Sequence, residues 1–522
     1  MKCYKGTIIS VDANDGVYRY LVEDKGKILY VGNDLPSEYK ASEIIDITGK
    51  AIVPAFVDTH QHFASLSTFN AGLNVMEAES NDEIAGMIGE YAAQTKDKTI
   101  IAFGASPHSV KEGRLITRDE IDAVCLGKEV MVVKYDGHAC IVSTPLLKKL
   151  DKKLSKLRGY HPDTGEMNQE AFFACSDYIS GSLSIPDLFR NMQNCTDYLA
   201  SKGIGSIHTV SGVGFIANLD ITIEKLFAKS LRNGFQIRVF PQALNIKVAT
   251  SRRIPRIGGC FECALDGCFG SHDAAMNEPY TDAEGGEGIL YYSDEKVIEF
   301  CKKANRLGLQ IELHAIGDKA FDQATRALKA ALDDYPRKDH RHGIIHDCLP
   351  TAEGIAICKE YGIQMPVQSA FIGWKQEPDS YLEEILGTER TSRLNPIKTF
   401  TDNGIVVSLG SDAPCTDPDP IQWIHRAVNH SNPSERISVQ QALRMATYNG
   451  AYATFDEKER GSLETGKVAD MVILSDNPYE VNPENLKDIK VEQLILSGKP
   501  YESAVTPLGR CIWRGLFSRS RY

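Results

Sequence analysis

Short apolar segments alternate with helical patterns through most of this chain of 522 residues, from about residue 57 to residue 460. Strands that alternate with helices are typical of βα units and a parallel sheet. The candidate strands cover residues 51–60, 203–210, 235–244, 259–267, 307–318, 342–348, 362–368 and 404–412. These are eight segments, and eight is the number of strands that closes a barrel. The pattern therefore predicts an α/β fold built on a (β/α)8 barrel.

The two ends of the chain have a different pattern. Residues 1–56 alternate polar and apolar side chains between glycines, and residues 461–522 return to the same alternation. Such segments predict short strands, so we expect both ends to pair in one small β domain beside a barrel at 57–460. The gap after the first barrel strand, about 65–200, is too long for a loop and contains a strand-like run at 129–137. An inserted α/β subdomain is predicted there.

Composition excludes several classes of partner. Lys and Arg number 58 against 70 Asp and Glu, and the formal charge of −12 argues against a nucleic-acid-binding surface. No apolar window approaches the length of a membrane span. Thirteen cysteines, an odd number, are typical of reduced thiols in the cytoplasm rather than a disulfide framework. We expect a cytoplasmic protein with a small-molecule substrate and no nucleic-acid or membrane partner, as a monomer or a homodimer.

Side chains that suit a metal stand at the ends of the candidate strands. His60 and His62 are two residues apart, so both point to the same side of the first strand. His314, His346 and Asp412 end the fifth, sixth and eighth strands. A barrel keeps its active site at these strand ends, and imidazoles with a carboxylate suit zinc or a similar first-row metal. The five groups are therefore predicted to form a metal centre.

Several motifs resemble those of the amidohydrolase superfamily, which are metal-dependent hydrolases on a (β/α)8 barrel. VDTHQHF (57–63) is similar to the HxH motif of its first strand, and LGSDAP (409–414) is similar to the aspartate motif of its eighth. A closer resemblance, to the subgroup that includes N-substituted formamide deformylase, rests on YDGHACIVSTPLL (135–147), LDGCFGSHDAAMNEPY (265–280), LHAIGDKAFD (313–322) and GSLETGKVADMVIL (461–474). The resemblance implies a composite β-sandwich from the two termini and an insertion after strand one. It also implies one or two divalent metals, with zinc favoured over manganese or iron.

The fourth strand departs from the family pattern. Relatives carry a lysine there whose carbamate bridges two metals, and counting back from Asp266 puts Glu262 at that position. A glutamate offers two oxygens, so Glu262 is predicted to bridge a metal held by His60, His62 and Asp412 and a second held by His314 and His346. Asp266 is the competing candidate, and pairing with an arginine is the structural alternative for Glu262. The CxxC at Cys260–Cys263 has no second CxxC, so its thiols are interpreted as buried apolar groups.

Four further side chains are candidates for substrate binding. His138 lies in the insertion, His208 ends the second strand, Trp374 follows the seventh, and Arg393 could hold an anionic group. The resemblance implies hydrolysis of a C–N bond in an amide, formamide or cyclic amide of a small polar molecule by metal-activated water. Asp412 would move the proton. A deaminase or an ester hydrolase would use the same ligands, and a non-catalytic ligand sensor is the remaining alternative.

Overall fold

The computed structural model describes residues 1–212, 218–282 and 286–518, so the last four residues of the predicted C-terminal segment lie outside the described part. Its strands are β1 (Lys2–Ile9), β2 (Val17–Asp24), β3 (Lys27–Gly32), β4 (Glu43–Pro54), β5 (Phe56–Gln61), β6 (Leu73–Asn74), β7 (Thr99–Ala105), β8 (Glu129–Lys134), β9 (Ala139–Val142), β10 (Tyr160–His161), β11 (Glu166–Asn168), β12 (Ile204–Ser211), β13 (Gln236–Pro241), β14 (Arg256–Ala264), β15 (Gln310–Ala315), β16 (Gly343–His346), β17 (Met365–Val367), β18 (Val407–Leu409), β19 (Met471–Leu474), β20 (Val491–Leu496) and β21 (Lys499–Pro500). The elements make a mixed α/β fold.

The helices are distributed along the whole chain between these strands. They are α1 (Phe63–Phe69), α2 (Asn81–Gln94), α3 (Arg118–Val124), α4 (Thr144–Leu154), α5 (Gln169–Ser182), α6 (Ile185–Ser201), α7 (Leu219–Ser230), α8 (Lys247–Ser251), α9 (Asp294–Arg306), α10 (Asp318–Asp334), α11 (Ala352–Tyr361), α12 (Asp379–Leu386), α13 (Thr388–Thr391), α14 (Ile397–Asp402), α15 (Pro420–Val428), α16 (Val439–Met445), α17 (Tyr448–Ala453) and α18 (Leu508–Phe517). Among the described residues, no helix is both long enough and apolar enough to cross a membrane.

Strands from both ends of the chain form one sheet. Its order is β21-β20-β19-β4-β1-β2-β3, so β19 from the C-terminal part pairs directly with β4 from the N-terminal part. The family resemblance implies a β-sandwich from these segments, and the strands here pair side by side in a single sheet. Side chains on both sides of the join meet in a shared apolar core that includes Ile8, Ile52 and Met471. This core packs the two ends of the chain together beside the central strands.

Eight central strands run parallel, and each corresponds to one of the eight segments predicted from the sequence. They form three sheets with the orders β5-β12-β13, β14-β15-β16 and β17-β18. Every residue of β15 and β16 is buried, which is typical of parallel strands covered on both faces. Helices separate consecutive strands along the chain from β12 to β18, which gives the βα alternation that the sequence predicts.

Isolated bridges connect the three parallel sheets. A parallel bridge between Gly343 and Gln364 joins β16 to the start of β17, and another between Gln61 and Ala413 joins β5 to the segment after β18. The backbone N–H of Asp412 also donates to the carbonyl of His60 at 2.8 Å. The strands therefore follow one another from β14 through β18 and β5 to β13.

The helices around these strands bury one face each. In α10, for example, the buried apolar residues Ala320, Ala324, Leu328 and Ala331 recur at a spacing of three and four residues, which places them on one side of the helix. They join the largest apolar core of the protein, which lies between the helices and the parallel strands. Helix α9 follows its N-cap residue, Ser293, and ends before Gly308, whose φ of 77° is a left-handed conformation that glycine adopts readily.

The insertion after β5 contains its own sheet and core. Strands β6 to β11 pair in the order β10-β11-β9-β8-β7-β6, and helices α2 to α5 pack on it. Its contact with the rest of the protein includes Lys134, at the end of β8. The ammonium of Lys134 donates to the carbonyl of Gly270 at 3.1 Å, in the loop that follows β14. The insertion thus covers the ends of the parallel strands at which the predicted ligands stand.

Candidate metal centre

Six buried side chains converge at the carboxyl ends of the parallel strands. They are His60, His62, Cys260, His314, His346 and Asp412. Their ligand atoms form three overlapping groups of three, and within each group the atoms lie within 4.8 Å of one another. The four histidines and the aspartate predicted from the sequence are therefore brought together, and a cysteine joins them. Cys260 belongs to two of the three groups, which places its sulfur between the histidines of β5 and those of β15 and β16.

The distances define a compact cluster. Asp412 Oδ1 lies 3.2 Å from Nε2 of His60 and 3.2 Å from Nε2 of His62. The Cys260 Sγ lies 3.3 Å from Nε2 of His60 and 3.7 Å from Nε2 of His346. The rings of His314 and His346 meet edge to face, with centroids 4.6 Å apart. Each imidazole thus presents a nitrogen toward the space that Cys260 and Asp412 share.

The chemistry of this donor set fits a divalent metal. Asp412 Oδ1 is buried, and although two imidazole nitrogens lie 3.2 Å away, neither contact has the geometry of a hydrogen bond. Burial lowers the pKa of His346 well below its usual value. Burial opposes ionisation of Asp412, but its contacts with His60 and His62 hold its pKa well below the usual range. Neutral imidazoles and an ionised carboxylate are the forms that bind a metal, and a buried acceptor left without a donor is the feature that such an ion would satisfy.

An irregular backbone in β14 brings Cys260 into the cluster. Pairing with β15 is regular up to Gly259, and the register then shifts before Ala264. Gly258 and Gly259 have φ values of 124° and 118°, which residues with a side chain rarely adopt, and Phe261 is left-handed at 49°. A side chain at Gly259 would also collide with Val210 of β12. The glycine pair therefore allows the bulge that turns the Cys260 side chain inward.

This bulge corrects the prediction made for Glu262. The carboxylate of Glu262 is exposed, and it accepts a hydrogen bond from the backbone N–H of Leu244 at 3.2 Å. Counting back from Asp266 assumed a regular strand, and the extra residues of the bulge move Glu262 away from the inward-facing position. Cys260, two residues earlier, takes that position. The thiol that the sequence interpretation treated as a buried apolar group is the missed member of the site, and the glycine pair before it was the available signal.

Asp266, the competing candidate, has a different role. Its carboxylate accepts hydrogen bonds from three backbone N–H groups, those of Ala275, Ile316 and Gly317, at 2.8–3.0 Å. These bonds hold the loop that follows β15. Asp266 Oδ1 also lies 3.4 Å from His314 Nδ1, at the edge of the ring. Asp266 therefore positions the loop and the His314 ring rather than offering its own oxygens to the cluster.

Other buried side chains orient the ligands. The side-chain oxygen of Gln368 lies 2.7 Å from Nδ1 of His346, so Nδ1–H donates to it and Nε2 is left free to bind. Asp58 accepts from the backbone N–H of Ser411 at 2.9 Å and from its hydroxyl at 2.6 Å, which ties β5 to the strand that precedes Asp412. These contacts fix the directions of the ligand side chains before any ligand binds.

Two of the predicted substrate-binding residues lie near the cluster. Trp374 stacks on Phe371 with centroids 5.0 Å apart, and Phe371 stacks on His346 at 5.9 Å. The ring of His138, from the insertion, lies 6.3 Å from that of Phe261, which in turn lies 5.4 Å from His62. Both side chains are therefore one aromatic ring away from a ligand.

The other two predicted substrate-binding residues lie elsewhere. His208 is buried within β12 and not at its end, and its Nε2 lies 3.0 Å from the hydroxyl of Thr454 in the interior. β12 continues for three residues beyond His208, to Ser211. Arg393 is exposed and lies 3.6 Å from Glu389 on its own surface segment. Neither residue belongs to the groups of potential metal ligands, and a role of either in substrate binding stays a prediction.

Comparison with known proteins gives the family. The sequence profile of the amidohydrolase family matches residues 43–501. The N-substituted formamide deformylase of Arthrobacter pascens is 22% identical over 94% of this chain and 96% of the relative. Protein LONG AFTER FAR-RED 3 of Arabidopsis thaliana is 25% identical over 94% of this chain and 89% of the relative. The crystal structure of an uncharacterized metal-dependent hydrolase from Pyrococcus furiosus is similar, with a TM-score of 0.72 and 25% identity over 92% of this chain and 100% of that one.

The family profile covers most of the chain, from β4 near the N-terminus to β21 near the C-terminus. The similarity to the Pyrococcus furiosus hydrolase extends over 92% of the chain, and the converging histidines, thiol and carboxylate suit a metal ion. The chain therefore belongs to the amidohydrolase family and is a metal-dependent hydrolytic enzyme that acts on carbon–nitrogen bonds.

Proposed function

We propose that the eight parallel strands close into a (β/α)8 barrel and that the protein hydrolyses a C–N bond in a small polar molecule at the mouth of that barrel. The substrate class is an amide, a formamide or a cyclic amide. The observation that carries the proposal is the convergence of four imidazoles, a thiol and a carboxylate on one point at the strand ends. The similarity to the Arthrobacter pascens deformylase supports the choice of an amide-like substrate.

Two divalent cations fit the donor set. His60, His62 and Asp412 would hold the first, His314 and His346 would hold the second, and Cys260 stands between the two groups, where the sequence predicted Glu262. Imidazole and thiolate ligands favour zinc over manganese. Burial raises the pKa of the Cys260 thiol, and a bound cation would deprotonate it. A reducing cytoplasm would keep this thiol available.

A bound metal supplies a water molecule whose pKa is lowered toward about 7 and polarises the carbonyl of the substrate. The protein residues supply the rest. Asp412 accepts the proton of the attacking water and delivers it to the leaving nitrogen, since it is the carboxylate of the cluster. The aromatic rings of Phe371 and Trp374 provide one wall against which a small substrate can lie.

A compound panel tests this proposal. Protein loaded with zinc or manganese, and the same protein stripped by a chelator, would be assayed with formamides, simple amides, cyclic amides, esters and aminopurines. We expect turnover of an amide-like compound that disappears on stripping and returns with metal. Ammonia release from aminopurines alone would assign a deaminase, and turnover of esters alone would assign a C–O hydrolase. No turnover of any compound by fully loaded protein would favour a ligand sensor.

A further inference from the structure

A second group of side chains lies between the insertion and the loops beyond the candidate metal centre. These side chains form a closed ring of contacts that begins and ends on the cluster, and we name it the upper ring. Its members are Phe371, Trp374, Tyr135, Glu377, Gly270, Ser271, Asp136, His138 and Phe261. Glu377 was not among the residues that the sequence singled out.

One side of the upper ring runs from His346 to Glu377. Phe371 stacks on His346, and Trp374 stacks on Phe371. The indole of Trp374 then meets the ring of Tyr135 edge to face, with centroids 5.1 Å apart. The hydroxyl of Tyr135 donates to Oε1 of Glu377 at 2.9 Å. Aromatic rings thus line a continuous path from a metal ligand to a carboxylate.

The other side of the upper ring returns to His62. The backbone N–H of Gly270 donates to Oε1 of Glu377 at 3.1 Å, and the next residue, Ser271, donates from its hydroxyl to Asp136 at 3.2 Å. Asp136 also accepts from the backbone N–H of His138 at 3.0 Å. The ring of His138 then approaches that of Phe261, which lies against His62. The contacts therefore lead back to the cluster at His62 and close the upper ring.

Glu377 has no ion-pair partner of its own among the described residues, because the nearby ammonium of Lys134 pairs with Asp136. Lys134 is the cation among the described contacts of the upper ring, and its ammonium already binds Asp136 at 2.8 Å, the Gly270 carbonyl and the Ser271 hydroxyl. Lys134 and Asp136 thus neutralise each other. Glu377 receives both of its hydrogen bonds on Oε1, and Oε2 has no partner among the described residues. Glu377 is partly exposed, so Oε2 is available to a ligand.

We propose that Glu377 is a specificity-determining residue, which binds an N–H donor or ammonium group at the end of the substrate farthest from the scissile bond. This inference rests on the proposed function. The substrate class is then a small amide-like molecule whose far end carries an amine, an amidine or a ring N–H, and not a carboxylate. The sequence analysis considered an anionic group of the substrate, bound by Arg393. A substrate with such a group at its far end would place a negative charge beside Glu377, with no unpaired cation to offset it. The aromatic rings between the cluster and Glu377 suit the flat or apolar middle of such a molecule.

Hydroxamic acids test the inference because their head group chelates a metal while the far end can be changed. The probes are benzohydroxamic acids whose para position carries an aminomethyl, an aminoethyl, a methyl or a carboxylate group. Their dissociation constants would be measured by calorimetry with zinc-loaded protein at pH 8. Burial raises the pKa of Glu377 to about 7, so its carboxylate is mostly ionised at that pH. We expect an aminoalkyl probe to bind about tenfold or more tightly than the methyl probe, because an ion pair with a charged hydrogen bond is gained. The carboxylate probe should bind least tightly.

Two variants assign the effect to this residue. Glu377→Gln keeps an oxygen that can accept from Tyr135 and Gly270, so the fold should persist while the preference for an aminoalkyl probe falls to within about threefold of the methyl probe. Glu389→Gln removes an exposed carboxylate near Arg393 and should leave the preference unchanged. The inference would be overturned if the carboxylate probe bound as tightly as the aminoalkyl probes or more tightly, or if the preference for an aminoalkyl probe survived in Glu377→Gln. Either result would leave the proposed function standing. If no hydroxamate binds in a zinc-dependent way, the proposed function fails and this inference fails with it.

Discussion

Replacing Gln368 by leucine should weaken the binding of one metal ion while leaving the fold intact. Gln368 is 1% exposed, and its oxygen accepts from Nδ1–H of His346 at 2.7 Å. Leucine is similar in volume, so the cavity is small, but a buried N–H of His346 loses its acceptor, which costs about 1–3 kcal/mol. Loss of such an outer partner weakens metal binding by about 10- to 100-fold, or about 1.4–2.7 kcal/mol. The ion lost should be the one held by His314 and His346.

The assay is a titration of metal-free protein with zinc against a chromogenic chelator of known affinity, which resolves a first and a second binding step. Gln364→Leu is the matched control, because Gln364 is also buried, at 4%, and donates to the carbonyl of Arg341 near the opposite end of the strand. That variant should melt at a lower temperature but bind zinc as the wild type does. Wild-type affinity for both ions in Gln368→Leu would refute the argument. An equal loss in both variants would show a general effect of destabilisation.

Three further predictions concern single residues. Asp412→Asn keeps an oxygen but removes the base, so kcat should fall by about 100-fold or more with an unchanged circular dichroism spectrum; wild-type turnover would remove Asp412 from the mechanism. Cys260→Ala should lose metal while Glu262→Ala keeps the wild-type stoichiometry, measured by plasma mass spectrometry; the reverse result would restore Glu262 as the ligand. Burial raises the pKa of Glu224 from 4.5 to about 8, so the protonated form is favoured in the folded state and the free energy of unfolding falls as the pH rises between these values. The free energy of unfolding of Glu224→Gln should therefore rise relative to that of the wild type by about 1.4 kcal/mol per pH unit across that range. Urea denaturation of both proteins at pH 5 and pH 8 measures this difference. A difference that is the same at the two pH values would contradict the prediction.

The periodic parts of the chain could be predicted from the sequence. All eight parallel strands overlap their predicted segments, because a strand buried on both faces needs a continuous apolar run that a sequence displays. Helix α9 is bounded by Ser293 at its N-cap and by Gly308 after its last turn, which are signals that a sequence displays. The convergence of the four histidines and Asp412 could also be predicted, because residues at the carboxyl ends of parallel strands meet at one face.

The remaining parts depended on features that a periodic pattern does not contain. Cys260 was missed because its position depends on the left-handed and glycine-specific dihedral angles of Gly258 to Phe261, which break the two-residue period on which a count along a strand relies. His208 was placed at the end of the second strand, whereas the predicted segment ran to residue 210 and β12 ends at Ser211. Glu377 could not be found, because the contacts that single it out come from Tyr135 in the insertion and Gly270 in another loop, both distant in sequence.

The central claim is that a metal centre forms at this cluster with the sulfur of Cys260 among its ligands. X-ray absorption at the zinc edge of fully loaded wild-type protein measures this directly. The account predicts a sulfur shell at about 2.3 Å beside a nitrogen and oxygen shell at about 2.0–2.1 Å, and loss of the sulfur shell in Cys260→Ser. A wild-type spectrum with nitrogen and oxygen ligands alone, or a sulfur shell that survives in Cys260→Ser, would contradict it.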